Sequence, residues 1–530
     1  MRKKVLAKAL IAFLGAGIFT ATAPEVEIVK CEAATMENIA QNYDLSFDAS
    51  LGVEKTLNCE GCSVKFIAYE NIVYVRNPAN VEQQRLSIYI PAEYLTGGTI
   101  NGYTAKTAPI FMPNGVGGYM PGEILSPQEK SRGGGANASL VALSRGLVVV
   151  SPAIRGRTTV TDGVYIGKAP ALIVDYKAAV RYLRFNRNRI PAGDTEKIIS
   201  NGTSAGGALS AALGSMGNAP EFESYLQEIG AADERDDIFA SSDYCPITNL
   251  ENADKAYEWI FYGENKYYPA MWQLQDLKAR GKLNNPNLKI SDAPPDADSA
   301  NNPVGVKNAV DMTKEEIKIS KKLRDAFPSY VNSLNLRDEH GKLLTLDKNG
   351  NGTFKEFIKR KYIESAQDAL DSGKDLSETN WITIKNGRVV DVDLKKYPAA
   401  ATRMKSAPAF DKMDLSSAEN DEFGTKNNQP RHFSEIIYKN SGGEMADAEQ
   451  IQIMNPLNFI GREDVTVARH FRIRHGAADR DTSLAIPAIL ALTLQNNGVD
   501  VDFFSPWGIG HSGDYDLDKL FNWIDNICKE

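Results

Sequence analysis

The run Lys197-Ile198-Ile199-Ser200-Asn201-Gly202-Thr203-Ser204-Ala205-Gly206-Gly207 decides how this chain is read. Its first four residues form a short apolar strand, and a small-residue helix follows from Ala208 to Met216. Between them stands Gly-x-Ser-x-Gly, a pattern that glycine-rich turns also produce by chance. The position changes its meaning. A serine on a strand-to-helix elbow occupies a strained turn, so its flanking positions must be small. Here they are Gly202 and Gly206. The helix N-terminus beneath the elbow also favours developing negative charge. Ser204 is the candidate nucleophile, set against a glycine-rich turn with no chemical meaning.

A serine nucleophile needs a base, and the base needs an orienting acid. Five histidines are available: His340, His432, His470, His475 and His511. His511 lies in the loop Pro506-Trp507-Gly508-Ile509-Gly510-His511-Ser512-Gly513, after an apolar strand at Val499 to Phe504 and before a last helix. That is where the chain order Ser…Asp…His of the α/β-hydrolase fold places its histidine. His470 and His475 read as packing or strand-edge residues, and His340 and His432 as solvated or cap-surface ones. The acid should follow the preceding strand, His470 to Arg474, in the loop Gly476-Ala477-Ala478-Asp479-Arg480-Asp481. Spacing does not separate Asp479 from Asp481, and Asp481 could simply N-cap the next helix. An oxyanion hole needs two backbone N–H donors. Ala205 supplies one. The other comes from Pro113-Asn114-Gly115-Val116-Gly117-Gly118-Tyr119, with Gly117 and Gly118 as candidates and a plain turn as the alternative.

Working outward, short runs rich in Val, Ile and Phe recur between helical patterns. Val64 to Tyr69, Ile72 to Val75 and Leu86 to Ile90 read as an opening antiparallel meander. Pro109 to Met112, Leu147 to Val150, Asp237 to Ala240 and His470 to Arg474 continue the strand series. Helices are expected at Ala169 to Phe185, Asp481 to Gln495 and Leu517 to Cys528. Strands alternating with helices mean parallel crossovers. From 253 to 445 that rhythm stops, and the sequence turns polar and lysine-rich. The expected organisation is an α/β-hydrolase core at 34–252 and 446–530, with a mostly parallel central sheet and a large, partly helical cap or lid inserted at 253–445.

The whole chain has 530 residues, 42% hydrophobic and 24% charged, with 60 basic against 68 acidic side chains and a net charge of -8. That acidic balance argues against a nucleic-acid partner, whose binders carry a basic footprint. Five cysteines are too few for a disulfide scaffold. Cys59-Glu60-Gly61-Cys62 reads as a tight local disulfide or two thiols, because a structural zinc site needs four ligands and no second pair exists. Met1-Arg2-Lys3-Lys4 followed by an apolar run from Ala9 to Phe19 reads as a signal peptide ending near residue 33. The run is shorter than a bilayer span of about 20 residues. A secreted or cell-surface protein is expected, with no stable membrane span after signal removal. Asp347-Lys348-Asn349-Gly350-Asn351-Gly352-Thr353 matches the first half of a calcium loop. Position 12 is Ile358, however, so an Asn-Gly-rich turn is the favoured reading over a structural calcium site.

These stretches resemble the bacterial tannases, the tannin acyl hydrolases of the α/β-hydrolase superfamily. The resemblance is carried by Asn201 to Gly207, Tyr244-Cys245-Pro246-Ile247-Thr248, Arg403-Met404-Lys405, Pro408-Ala409-Phe410-Asp411, Asp479-Arg480-Asp481 and Pro506 to Tyr515. It implies Ser204 as nucleophile, His511 as base and Asp479 as orienting acid. It also implies that Lys405, Glu419 and Asp481 hold the three hydroxyls of a galloyl ring, with no cofactor and a small galloyl ester as the partner. Glu422 lies close to Glu419 in the same polar loop. A feruloyl or general carboxylesterase is the alternative within enzymes. A catalytically silent binding module is the alternative outside them, and no triad member is missing here.

Overall fold

Residues 42–59, 61–131, 134–270 and 309–529 are described by the computed structural model; the signal segment expected at 1–33 lies outside them. Nine strands form one sheet: β1 (Val53–Cys59), β2 (Cys62–Val73), β3 (Arg85–Pro91), β4 (Pro109–Pro113) and β5 (Val148–Pro152) come first. After them come β6 (Asp194–Thr203), β7 (Ala240–Tyr244), β8 (His470–Arg474) and β9 (Asp500–Phe504). The spatial order is β1-β2-β3-β5-β4-β6-β7-β8-β9. The first three are an antiparallel meander, β3 meets β5 antiparallel, and every pair from β5 across to β9 is parallel.

Parallel strands are buried on both faces and need helical crossovers, so they read as unbroken apolar runs. β4, β5 and β7 are buried at every position. The short α1 (Ala138–Ser144) joins β4 to β5, and three further crossover helices matter for the site. α2 (Ala171–Phe185) precedes β6, α3 (Ala205–Ser215) leaves it, and α8 (Ala485–Asn496) joins β8 to β9. The last helix, α9 (Leu517–Lys529), packs Phe521 edge-on against Phe111 of β4.

Two strand readings are corrected. Val64 to Tyr69 and the start of Ile72 to Val75 are one strand, β2, which ends at Val73 and whose register slips between Tyr69 and Ile72 where Asn71 takes a φ of 63°. A β-bulge looks like a turn in sequence. β7 begins at Ala240, where the expected strand ended, because Ser241, Ser242 and Asp243 are polar yet buried.

Between β7 and β8 the chain forms α4 (Leu250–Phe261), α5 (Lys314–Ser333), α6 (Thr353–Asp371), a ribbon of Ile382–Lys385 with Arg388–Val392, and the short α7 (Ala418–Glu422). All the described residues belong to one compact unit. Aromatic side chains seat this segment on the core: Trp381 stacks on Trp507 with ring centroids 5.2 Å apart, and the Tyr397 hydroxyl lies 3.1 and 3.2 Å from the carbonyls of Ala477 and Asp479. Among the described residues no helix is long and apolar enough to cross a membrane.

Candidate active site

At the end of β6 the backbone turns sharply into α3, and Ser204 takes φ 62° and ψ -122°. The turn is pinned by the Ser204 N–H donating to the Tyr244 carbonyl at 2.9 Å. A methyl group on Gly202 would sit 2.2 Å from the Gly206 carbonyl oxygen, and one on Gly206 would sit 2.6 Å from the Val116 oxygen. Both glycines are therefore steric requirements of the elbow. The same contacts place the Pro113–Tyr119 loop directly against α3. Asn114, buried between them, donates to the Asn201 and Gly206 carbonyls and to the Ser210 hydroxyl, at 3.0–3.1 Å.

The three distant loops converge. His511 Nε2 lies 2.8 Å from Ser204 Oγ, and His511 Nδ1 lies 2.8 Å from Asp479 Oδ2. The other oxygen of Asp479 accepts the backbone N–H groups of Asp481 and Thr482, at 2.9 and 3.1 Å. Burial would raise the Asp479 pKa, but the imidazoles of His511 and His475 and these hydrogen bonds bring it down to about 2. Asp479 is thus an anion fixed by four neighbours. Burial opposes a charged imidazole at His511, yet the sulfur of Cys245 and the carboxylates of Asp479 and Asp481 hold its pKa well above the usual value. Packing of the His511 loop is equally close: a methyl on Gly513 would sit 1.9 Å from Thr203 Oγ1.

Cys245 is a contributor that sequence reasoning left without a role. Its Sγ lies 3.9 Å from His511 Nε2 and 3.6 Å from the Ser512 carbonyl. Burial pushes the thiol pKa up, against the pull of the His511 imidazole. Ser204 is the nearer group and the better placed nucleophile. Cys245, Asp479 and His511 are also the one group of potential metal ligands among the described residues. A neutral thiol and a carboxylate already bonded to imidazole make a poor donor set for a cation.

Beside the triad, Lys405 and Asp481 form a buried ion pair with Nζ 2.7 Å from Oδ1. Burial would lower the Lys405 pKa, but Asp481 and then Glu419 raise it overall. Burial raises the Glu419 pKa against the pull of Lys405. One ammonium therefore shares a low-dielectric pocket with two carboxylates. Lys405 is aimed by Arg403, whose Nε donates to the Lys405 carbonyl at 2.6 Å and whose guanidinium pairs with Glu258, both fully buried. Arg403 was quoted in the sequence pattern, but its role depends on Glu258, 145 residues away, and no local signal could have found it.

The remaining candidates separate. Asp481 is not a helix cap, since α8 starts at Ala485 and its N-cap is Leu484. His432 is a correction: it is fully buried, not on the cap surface, with Nδ1 2.6 Å from Asp411 Oδ1. His470, at the start of the interior strand β8, pairs with Asp500 of the edge strand β9, and His475 is buried, its pKa lowered by that burial. Ala205 opens α3, while Gly117 and Gly118 lie in the turn beside it. In the Asp347–Thr353 loop, Asp347 Oδ1 accepts two backbone N–H groups, from Asn349 and Asn351, and Lys355 occupies the Asn351 side-chain oxygen. Cys59 and Cys62 are register partners across the β1–β2 turn.

Sheet order, elbow and the Ser204–His511–Asp479 relay define an α/β-hydrolase. Among solved structures, tannin acyl hydrolase from Lactobacillus plantarum is 44% identical with a TM-score of 0.82, over 91% of this chain and 99% of that one. Fusobacterium nucleatum tannase is 47% identical with a TM-score of 0.84, over 92% and 100%. The chain belongs to the tannase, or tannin acyl hydrolase, family, and is a carboxylic ester hydrolase. A tannin acyl hydrolase in complex with ethyl gallate is 43% identical, with a TM-score of 0.82 over 91% and 99%. The BD-FAE family model matches residues 127–283. No curated protein matches the chain.

Proposed function

We propose that the protein is an exported serine esterase that hydrolyses galloyl esters and releases gallic acid. The observation that carries this reading is the Lys405–Asp481 pair with Glu419 beside the Ser204–His511–Asp479 relay. A galloyl ring presents three adjacent hydroxyls that both donate and accept. Carboxylates accept and an ammonium donates, and such charge-assisted bonds are roughly twice as strong as neutral ones. Ser204 Oγ attacks the ester carbonyl while His511 Nε2 takes its proton. The oxyanion is received by the N–H of Ala205 and of Gly118. Gly118 is favoured over Gly117 because the Val116 carbonyl points toward α3, which turns the Gly117 N–H on the same peptide away. His511 then protonates the departing alcohol, and water, activated by the same imidazole, hydrolyses the galloyl-enzyme.

The segment 253–445 serves as the cap that closes this pocket, and the basic, apolar N-terminus supports export. Ethyl gallate in the relative supports the acyl choice. The test is gallic acid release by the purified protein from methyl gallate, compared with methyl 3,4-dihydroxybenzoate and methyl benzoate. Preference falling with each hydroxyl removed is expected. Equal turnover on all three eliminates the hydroxyl-reading pocket.

A further inference from the structure

The Pro113–Tyr119 loop ends in a turn that is unusual for its sequence. Met120 N donates to the Gly117 carbonyl at 3.0 Å, and the two central residues, Gly118 and Tyr119, take φ values of 53° and 59°. Left-handed dihedrals at both centres are the pattern of a type I′ turn, which glycine, asparagine or aspartate normally fill. A tyrosine there strains the backbone. Strain of this kind persists where the side chain is needed.

The Tyr119 side chain is not a surface accident. Tyr119 is 2% exposed, as enclosed as Asp481 at 5% and Lys405 at 8%. Burial raises its phenol pKa, and the carboxyls of Glu419 and then Glu422 raise it further. Glu422 is fully buried, and among the described residues neither of its carboxyl oxygens has a hydrogen-bond partner. Burial pushes its pKa well up, against the pull of Lys168 and Arg157. A buried, unpartnered carboxyl on the helix that braces this turn is a group that a ligand hydroxyl would complete.

The backbone of the same turn is braced from α7. Arg157 Nε donates to the Gly118 carbonyl at 3.0 Å, and its guanidinium reaches Asp421 at 2.6 Å, while the Arg157 N–H donates to the Tyr119 carbonyl at 2.8 Å. Asp421 of α7 thus holds, through Arg157, the peptide that carries Tyr119, and Glu419 and Glu422 stand on the same short helix. Resting on the galloyl-ester reading, we propose that Tyr119 is a further specificity residue whose phenol contacts the aromatic acyl group, so that ring recognition is built into the oxyanion loop itself.

The test compares wild type with Tyr119→Phe on methyl gallate and on 4-nitrophenyl acetate, whose acyl group has no ring. Losing one hydrogen bond to the ring should cost roughly fivefold in kcat/KM on methyl gallate beyond any loss on the acetate ester, and the loss should appear mainly in KM. Equal losses on both esters, or no loss on either, overturn the proposal. Phenylalanine keeps the ring and its packing, and undiminished fluorophosphonate labelling of Ser204 in the variant verifies an intact site. The two readings fail differently. Wild type that cleaves 4-nitrophenyl acetate but not methyl gallate refutes the galloyl reading and this inference with it, whereas an indifferent Tyr119→Phe refutes the inference alone.

Discussion

His511 works as a base only while it is neutral, and its surroundings work against neutrality. Burial lowers the imidazole pKa, but the Cys245 sulfur and then the carboxylates of Asp479 and Asp481 raise it overall. The neutral fraction grows as pH climbs through that raised value, so the acid limb of kcat/KM should lie above the 6.5 of an ordinary imidazole. Asp479→Asn should cut kcat about 10⁴-fold by releasing the tautomer and move the limb of the residual activity to lower pH. A wild-type limb below 6.5 contradicts the charge arrangement described. Ser204 holds a strained φ of 62° to expose its hydroxyl. Ser204→Ala should lower kcat by about 10⁴–10⁶ and abolish fluorophosphonate labelling; surviving label would place the nucleophile elsewhere. At this scale the sequence was largely legible. The Gly202–Gly206 pair that marks the elbow is demanded by contacts of 2.2–2.6 Å, and steric demands on one turn are written locally. Asp479 and Asp481 were not separable by spacing, because what separates them is which carboxylate reaches the imidazole and which reaches Lys405.

Elements show where local signals end. The parallel strands β4 and β5 were visible as apolar runs because both faces are buried. β7 was misplaced because its centre is serine and aspartate, buried all the same. α8 was started four residues early at Asp481, since a carboxylate before an apolar run imitates a cap. The stretch Arg403-Met404-Lys405 gains its meaning only from α4, where Glu258 meets Arg403 in full burial. Removing one partner of a buried pair costs about 3–5 kcal/mol. Arg403→Ala should therefore lower the unfolding free energy by that amount in a urea titration, and a change under 1 kcal/mol would refute the role assigned. Lys405→Ala leaves the Arg403–Glu258 pair in place. Its larger effect should be on KM for methyl gallate, with a smaller change in the urea midpoint.

Across the whole molecule, the site is an agreement among segments hundreds of residues apart, which no reading of neighbours in sequence can supply. Thr203 and Gly513 illustrate it, lying 310 positions apart with no room for one methyl between them. Gly513→Ala should displace the His511 loop and lower kcat about 10²-fold, since misplacement of a reacting group by about 1 Å costs that much. Thr203→Ala in the same chain should recover part of the loss; strict additivity of the two substitutions would show that they do not interact. The inserted segment belongs to the same agreement. Tyr397 holds the carbonyls of Ala477 and Asp479, Tyr257 holds that of Arg480 at 2.9 Å, and Trp381 lies flat on Trp507. A miniature hydrolase carved from this chain by excising that insert would keep all three members of its relay and still lose their alignment, so attempts to shorten the enzyme should leave the aromatic struts in place.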